Sequence, residues 1–215
     1  MTAHRKLIRR TALAATTGVA ALVLAACGSD GGHDMGSMDS DSSPSASASA
    51  SAEAGAHNDA DVSFATGMIQ HHRQAVEMAE MAADRASSQE VKDLATKIKG
   101  AQDPEIKTMS GWLTSWGEEV PADMSGMEGH DMSSGMPSMP GMMSSGDMDK
   151  LGKASGTEFD TMFLDMMVQH HEGAVDSAKT VKADGKYGPA TKLADDVITA
   201  QTAEIKQMNK MLGKS

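Results

Sequence analysis

The sequence predicts an all-α protein whose core is a four-helix bundle made from two copies of one helical hairpin. Three observations predict it. The stretch Gly67-Met68-Ile69-Gln70-His71-His72-Arg73-Gln74-Ala75-Val76 returns as Met166-Met167-Val168-Gln169-His170-His171-Glu172-Gly173-Ala174-Val175. The same offset of 99 relates Phe64 to Phe163, Leu94 to Leu193, Gln102 to Gln201, Glu105 to Glu204 and Met109 to Met208, which marks an internal repeat. In each copy the apolar residues recur at helical spacing: His71 lies on the row Phe64, Met68, Ala75, Met78, and His72 on the row Val62, Ala65, Ile69, Val76, Ala79. Aromatic residues make up only 3% of the chain, and the other apolar residues are mostly Ala, Met, Leu, Val and Ile, which suits helix packing better than a sheet.

The chain begins with Arg5, Lys6, Arg9 and Arg10 and an apolar run from Ala12 to Ala26, too short for a membrane span and arranged like a secretion signal. Its end, Leu24-Ala25-Ala26-Cys27, resembles the bacterial lipobox. That resemblance implies that residues 1–26 are a signal peptide, that cleavage precedes Cys27, and that diacylglycerol is carried on its sulfur, tethering the exported protein to a membrane face. Cys27 is the single cysteine, so a lipidated chain has neither disulfide nor thiolate to offer and any soft-metal site must use Met or His. Removing residues 1–26 takes away four basic and no acidic residues, moving the formal charge from -11 to -15. Such a chain repels nucleic acid and attracts cations. Residues 27–57 are mostly Ser, Ala, Gly and Asp with one Pro, a composition that reads as a disordered tether.

Residues 58–215 are expected to form the single folded domain. The first helix should start at Asn58, with Asp61 three residues on, and run to about Arg85; Ser87-Ser88-Gln89-Glu90 then offers a capping box for the second. The second helix carries Leu94, Ile98, Ala101, Ile106, Met109 and Leu113, and Pro104 should interrupt it. Thr157 with Asp160 gives the third helix its start, Gly185 its stop, and Gly188-Pro189 opens the fourth, which carries Leu193, Val197, Ala200, Ile205, Met208 and Leu212. Hairpin one thus covers 58–116 and hairpin two 157–213, and each needs the other to bury its apolar side. The linker 117–156 holds Met124, Met127, Met132, Met136, Met139, Met142, Met143 and Met148 among Gly, Ser and Pro, and is expected to lie outside the core.

Antiparallel pairing about Ser87 brings His71 and His72 level with Gln102 and Glu105, and the same folding brings His170 and His171 level with Gln201 and Glu204, with Met68, Met109, Met167 and Met208 about one turn away. Imidazole and thioether together suit copper, Met favouring Cu(I) and His accepting either oxidation state. Glu105 and Glu204 fit either as ligands or as acceptors that orient a His ring. Met at helical spacing is ordinarily core filler, but four histidines converging on one interior are costly to bury for packing alone. The linker methionines Met124, Met127, Met132, Met136, Met139, Met142 and Met143, with His130, form a candidate secondary Cu(I)-collecting arm, with oxidant scavenging as its competitor.

The segments Met68-Ile69-Gln70-His71-His72 with Ala75-Val76, and Gln102 to Met109 with Trp112-Leu113, resemble the bacterial domain-of-unknown-function 305 family. The resemblance covers both hairpins and implies a ferritin-like helical bundle, often exported, in a family of which some members are associated with copper. The residues it reaches are His71, His72, Glu105 and Met109, with His170, His171, Glu204 and Met208. Copy two departs from it at Ser177, where copy one has Met78, and at Met211, where copy one has Trp112, so unequal halves are expected.

The function these features suggest is copper buffering or delivery by an exported lipoprotein, with copper as cargo, the membrane reached through Cys27, and another copper protein as the receiving partner. Two other classes stay open. A ferritin-like dimetal redox enzyme would need more carboxylates and a Glu-x-x-His motif, which no predicted helix contains. A metal-free envelope interaction module would use the histidines as pH-responsive groups. Nucleophilic catalysis lacks a cysteine beyond the lipid site and a Gly-x-Ser-x-Gly elbow.

Overall fold

Asn58 caps the first helix reciprocally: its side chain accepts from the Asp61 amide, and the Asp61 carboxylate accepts from the Asn58 amide. Two donors that a helix start leaves unpaired are thereby satisfied. In this computed structural model, which describes residues 55–123 and 139–214, that helix, α1, runs Asp59–Arg85. It is followed by α2 (Gln89–Trp116), α3 (Ser145–Lys153), α4 (Gly156–Asp184) and α5 (Gly188–Met211). No strand forms among the described residues. α1 packs along α2 and α4 along α5, and the two hairpins meet through α1 and α4.

Asp61 also reaches across to the other hairpin. Its Oδ2 accepts from the amides of Lys186 at 2.9 Å and Tyr187 at 3.0 Å, in the turn between α4 and α5. Its repeat partner Asp160 does the same in reverse, accepting from the amides of Ser87 at 3.1 Å and Ser88 at 3.0 Å and from the Ser87 hydroxyl. Each carboxylate is buried, and each ties the start of one hairpin to the turn of the other, so α1 and α4 run antiparallel. Asp160 is therefore not the cap of its own helix that its spacing from Thr157 predicts: α4 starts after Ser155 without a side-chain cap. With Ser87 held by Asp160, the N-cap of α2 falls on Ser88, which accepts from the Val91 amide, and no box forms with Glu90.

Two apolar clusters fill the interior. One joins the start of α1 and the end of α2 (Phe64, Met68, Met109, Leu113) to the end of α4 and the start of α5 (Ala178, Val181, Ala194, Val197). The other joins the opposite ends of the same helices, with Met78, Leu94, Ile98, Phe159, Phe163, Met167 and Met208 among its members. The α2 and α5 rows differ from expectation at one place in each copy: Ala101 and Ala200 are exposed, while Gln102 and Gln201 are turned inward. α2 also continues through Pro104. The residue four before it is Gly100, where an added β-carbon would meet nothing within 4 Å, so the missing side chain there is not what lets the proline fit.

The described end of the linker is part of the core, contrary to its composition. Ser144 caps α3 by accepting from the Asp147 amide, which turns Leu151 fully inward; Met143 and Met148 pack against the same cluster and Met139 against the other. Asp160→Ala would strand two amides of the opposite turn, and a loss of about 2–4 kcal/mol in urea unfolding is expected. A loss below about 0.5 kcal/mol, the scale of an ordinary surface change, would mean that the cross-hairpin clasp does not hold the halves together.

Candidate metal centre

Between the two apolar clusters lies a polar layer contributed equally by both copies. His71, His72, His170 and His171 are all at most 1% exposed, and Gln102 and Gln201 are each 3% exposed. The apolar rows of α1 and α4 carry the histidines inward, because neighbours about 100° apart on a helix can both face a bundle interior. His71 and His170 meet where the two copies face each other, their ring centroids 3.6 Å apart and their planes tilted by 38°. His72 lies further out, 6.5 Å from His71 between centroids.

Each outer histidine is oriented by a carboxylate from its own hairpin. His72 donates through Nε2–H to Glu105 Oε2 at 2.7 Å, and His171 donates to Glu204 Oε2 at 2.9 Å. A neutral imidazole with its proton on Nε2 carries its lone pair on Nδ1, and in both residues Nδ1 is buried without a partner. His71 and His170 have no hydrogen-bond partner on either ring nitrogen, and the amide oxygens of Gln102 and Gln201 are likewise unpartnered. Of the two roles open to Glu105 and Glu204, this arrangement has each standing behind a histidine, the position that fixes tautomer and ring direction at metal sites.

Burial keeps His71, His170 and His171 uncharged at neutral pH. Desolvation, aided by the neighbouring His72 and His171, pushes His71 down to about 3, against an opposing pull from the Pro140 and His170 carbonyls, which lie near the ring without hydrogen-bonding geometry. Desolvation likewise places His170 well below the ordinary histidine value, with His71, His171 and His72 adding to the shift. His171 is also lowered by burial, its bond to Glu204 working the other way. Their lone pairs are therefore free at neutral pH.

Thioethers flank this layer on both sides. Met68 and Met109 belong to one apolar cluster, Met167 and Met208 to the other, and all four are fully buried. Among the described residues no three His, Cys, Asp or Glu side chains surround a common point. A donor set here would combine imidazole nitrogen with thioether sulfur, a combination suited to soft ions. The unpartnered nitrogens fit such a group, since each is a buried acceptor or donor that nothing in the protein satisfies.

The halves are not equivalent. Glu204 also pairs through Oε1 with Lys97 of the other hairpin at 3.3 Å and is 7% exposed, whereas Glu105 is 24% exposed. The position matching Lys97 in copy two is Asp196, which pairs with Lys192 instead. Met78 is fully buried where copy two has Ser177, while Trp112 and its counterpart Met211 are both half-buried. Met139, Met142 and Met143 are half-buried near the bundle. Met124, Met127, His130, Met132, Met136 and Cys27 lie outside the described residues. Gln74, which holds Met143 through two hydrogen bonds, and the glycines Gly67 and Gly173 also belong to this region. Their signal in the sequence is that they break the repeat, Gly67 standing against Met166 and Gln74 against Gly173.

The lowered pKa values set a pH dependence for the metal-free protein. Unfolded histidine protonates near pH 6.5 while His71 does not until about 3, so between these values the unfolded state binds more protons and stability falls as the pH falls. Each such histidine contributes a slope of up to about 1.4 kcal/mol per pH unit. Urea unfolding from pH 7 to 5, above the main carboxylate range, should show this slope, and a His71→Gln/His170→Gln variant should flatten it. An unchanged slope in the variant would mean that the two rings are not held neutral.

The chain is similar to a crystal structure of a protein from Streptomyces coelicolor that is inferred to be secreted, at 34% identity and a TM-score of 0.63, covering 72% of this chain and 93% of that one. It is similar to CopM in its Cu(II)-bound form, at 38% identity and a TM-score of 0.58, covering 70% and 94%. CopM has also been solved in Cu(I)-bound, silver-bound and apo forms. A fragment from Deinococcus radiodurans matches at 25% identity and a TM-score of 0.62, covering 75% and 100%. No curated protein matches significantly. The family model for Domain of unknown function (DUF305) matches residues 61–212, most of the folded region and both copies of the repeat, and the chain belongs to the DUF305 family.

Proposed function

We propose that this is an exported copper-binding protein that holds copper in the polar layer of its bundle and either buffers it or hands it to another copper protein. The observation that carries the reading is the set of buried imidazoles with unpartnered nitrogens at one level of the interior. Metal coordination answers the cost of leaving those nitrogens unsatisfied, and the adjacent thioethers favour Cu(I) while imidazole accommodates both oxidation states. The copper-bound and silver-bound forms of CopM support the same class of cargo.

In this reading His71, His72, His170 and His171 supply nitrogen, Met68, Met109, Met167 and Met208 supply sulfur, and Glu105 and Glu204 keep the outer histidines in the right tautomer. The linker methionines with His130 act as a weaker collector. The inferred secretion of the Streptomyces coelicolor relative supports export, and the lipobox-like Leu24-Ala25-Ala26-Cys27 supports anchoring to the outer face of a membrane through a lipid on Cys27. No helix among the described residues is long and apolar enough to cross a membrane.

Titration of the chain lacking residues 1–27 with Cu(I) and Cu(II) against competing chelators tests this. Replacing all four histidines by alanine should weaken the principal site at least about a hundredfold, a change of roughly 2.7 kcal/mol. Glu204→Gln, which keeps shape but removes the charged acceptor, should weaken it by roughly ten- to a hundredfold. Tight binding that survives the four-histidine change would move the site to the linker, and no binding of either ion would end the copper reading.

A further inference from the structure

The linker segment 139–143 lies directly across the histidine layer. The Met139 sulfur stands 2.7 Å from where a β-carbon on Gly67 would be, and the Pro140 carbonyl oxygen 1.8 Å from where one on Gly173 would be. Gly141, at φ +82°, sits so close to α4 that a β-carbon there would meet the carbonyl oxygens of Gln169 at 2.5 Å and His170 at 3.0 Å. The far end of the segment is pinned by Gln74, whose amide donates to the Met143 carbonyl at 3.0 Å and accepts from the Met143 amide at 2.7 Å.

These contacts fall where the repeat is broken. Copy two has Met166 in place of Gly67 and Gly173 in place of Gln74, so bulk is removed from each copy at the point where the segment presses on it. A glycine in a helix interior is unfavourable for the helix itself, and the closeness of the segment supplies a reason for both. Gly67 lies one helical turn before His71 on the same face, so the half-buried Met139 sulfur adjoins the row that carries His71. The Pro140 carbonyl also acts on that ring, opposing its lowered pKa.

We propose that residues 139–143 form a strap that closes the histidine layer, and that Met139 passes a soft monovalent ion, Cu(I) or Ag(I), to and from His71. This rests on the copper reading above and extends it: the strap sets how fast the ion exchanges, and the Met139 thioether gives it a ligand on the way. Lifting the strap requires the release of the Gln74 bonds, the glycine contacts and the packing of Met139 and Met143 against the apolar clusters, with the helices left in place. Local opening of this kind is open to segments held by few contacts.

The test compares the wild-type chain from residue 28 with Gly173→Ala, which displaces Pro140 without touching a nitrogen or sulfur donor, and Met139→Leu, which leaves the strap down without its sulfur. Gln74→Ala, which frees the other end, stands in if Gly173→Ala folds poorly. In the metal-free protein, modification of His71 by diethyl pyrocarbonate, followed by peptide mapping, should quicken roughly tenfold in Gly173→Ala. Release of Ag(I) to a chelator should quicken by a similar factor in that variant, and entry of Ag(I) should slow roughly tenfold in Met139→Leu. Wild-type rates in the opened variant, or wild-type entry in Met139→Leu, would overturn the strap while leaving the copper site standing. Failure of the wild-type protein to bind Ag(I) or Cu(I) would overturn both.

Discussion

The bundle is built around a cost: four imidazoles held in its interior with six ring nitrogens unpartnered. Each orphaned buried polar group opposes folding by roughly 1–3 kcal/mol, a large share of what a domain has to spare. The remaining architecture can be understood as what makes that layer possible. Apolar clusters close it above and below, two carboxylates orient its outer rings, and reciprocal clasps from Asp61 and Asp160 lock the hairpins so that His71 and His170 meet. A packing role would be met more cheaply by leucine at any of these positions. The cost is intelligible when the nitrogens have an ion to bind.

Duplication explains the symmetry, and the departures from it carry the more specific information. The clasps, the carboxylate behind each outer histidine and the inward glutamines are matched position for position at the offset of 99. Lys97 reinforces Glu204 alone, and Gly67, Gln74 and Gly173 adapt one face of the bundle to a linker that has no repeat partner. One chain thus joins two similar half-sites in one layer while exposing them to different surroundings. On the proposed copper reading, that inequality would give the half-sites unequal affinities and the ion a preferred route.

Much of this was legible in the sequence because helical period and repeat register are strong constraints. Apolar rows placed both His pairs inward, and the turn near Ser87 was enough to bring Glu105 level with His72. The start of α1 follows from a capping motif whose geometry is local. Asp160 misleads for the same reason: an acid three residues after Thr157 looks identical whether it caps its own helix or the neighbouring turn, and only tertiary packing decides. α3 was hidden because nine residues with a single leucine do not establish a period, and the methionines around it suggested a free arm. Ala101 and Ala200 read as core by type, yet the hairpin register turns Gln102 and Gln201 inward in their stead.

The most direct test of the central claim is X-ray absorption spectroscopy of the chain lacking residues 1–27, loaded with one equivalent of Cu(I). The account predicts a mixed shell of nitrogen and sulfur, with the outer-shell scattering of imidazole and loss of that scattering in the four-histidine variant. A shell of sulfur alone, unchanged when the histidines are replaced, would contradict it and put the ion on the linker methionines.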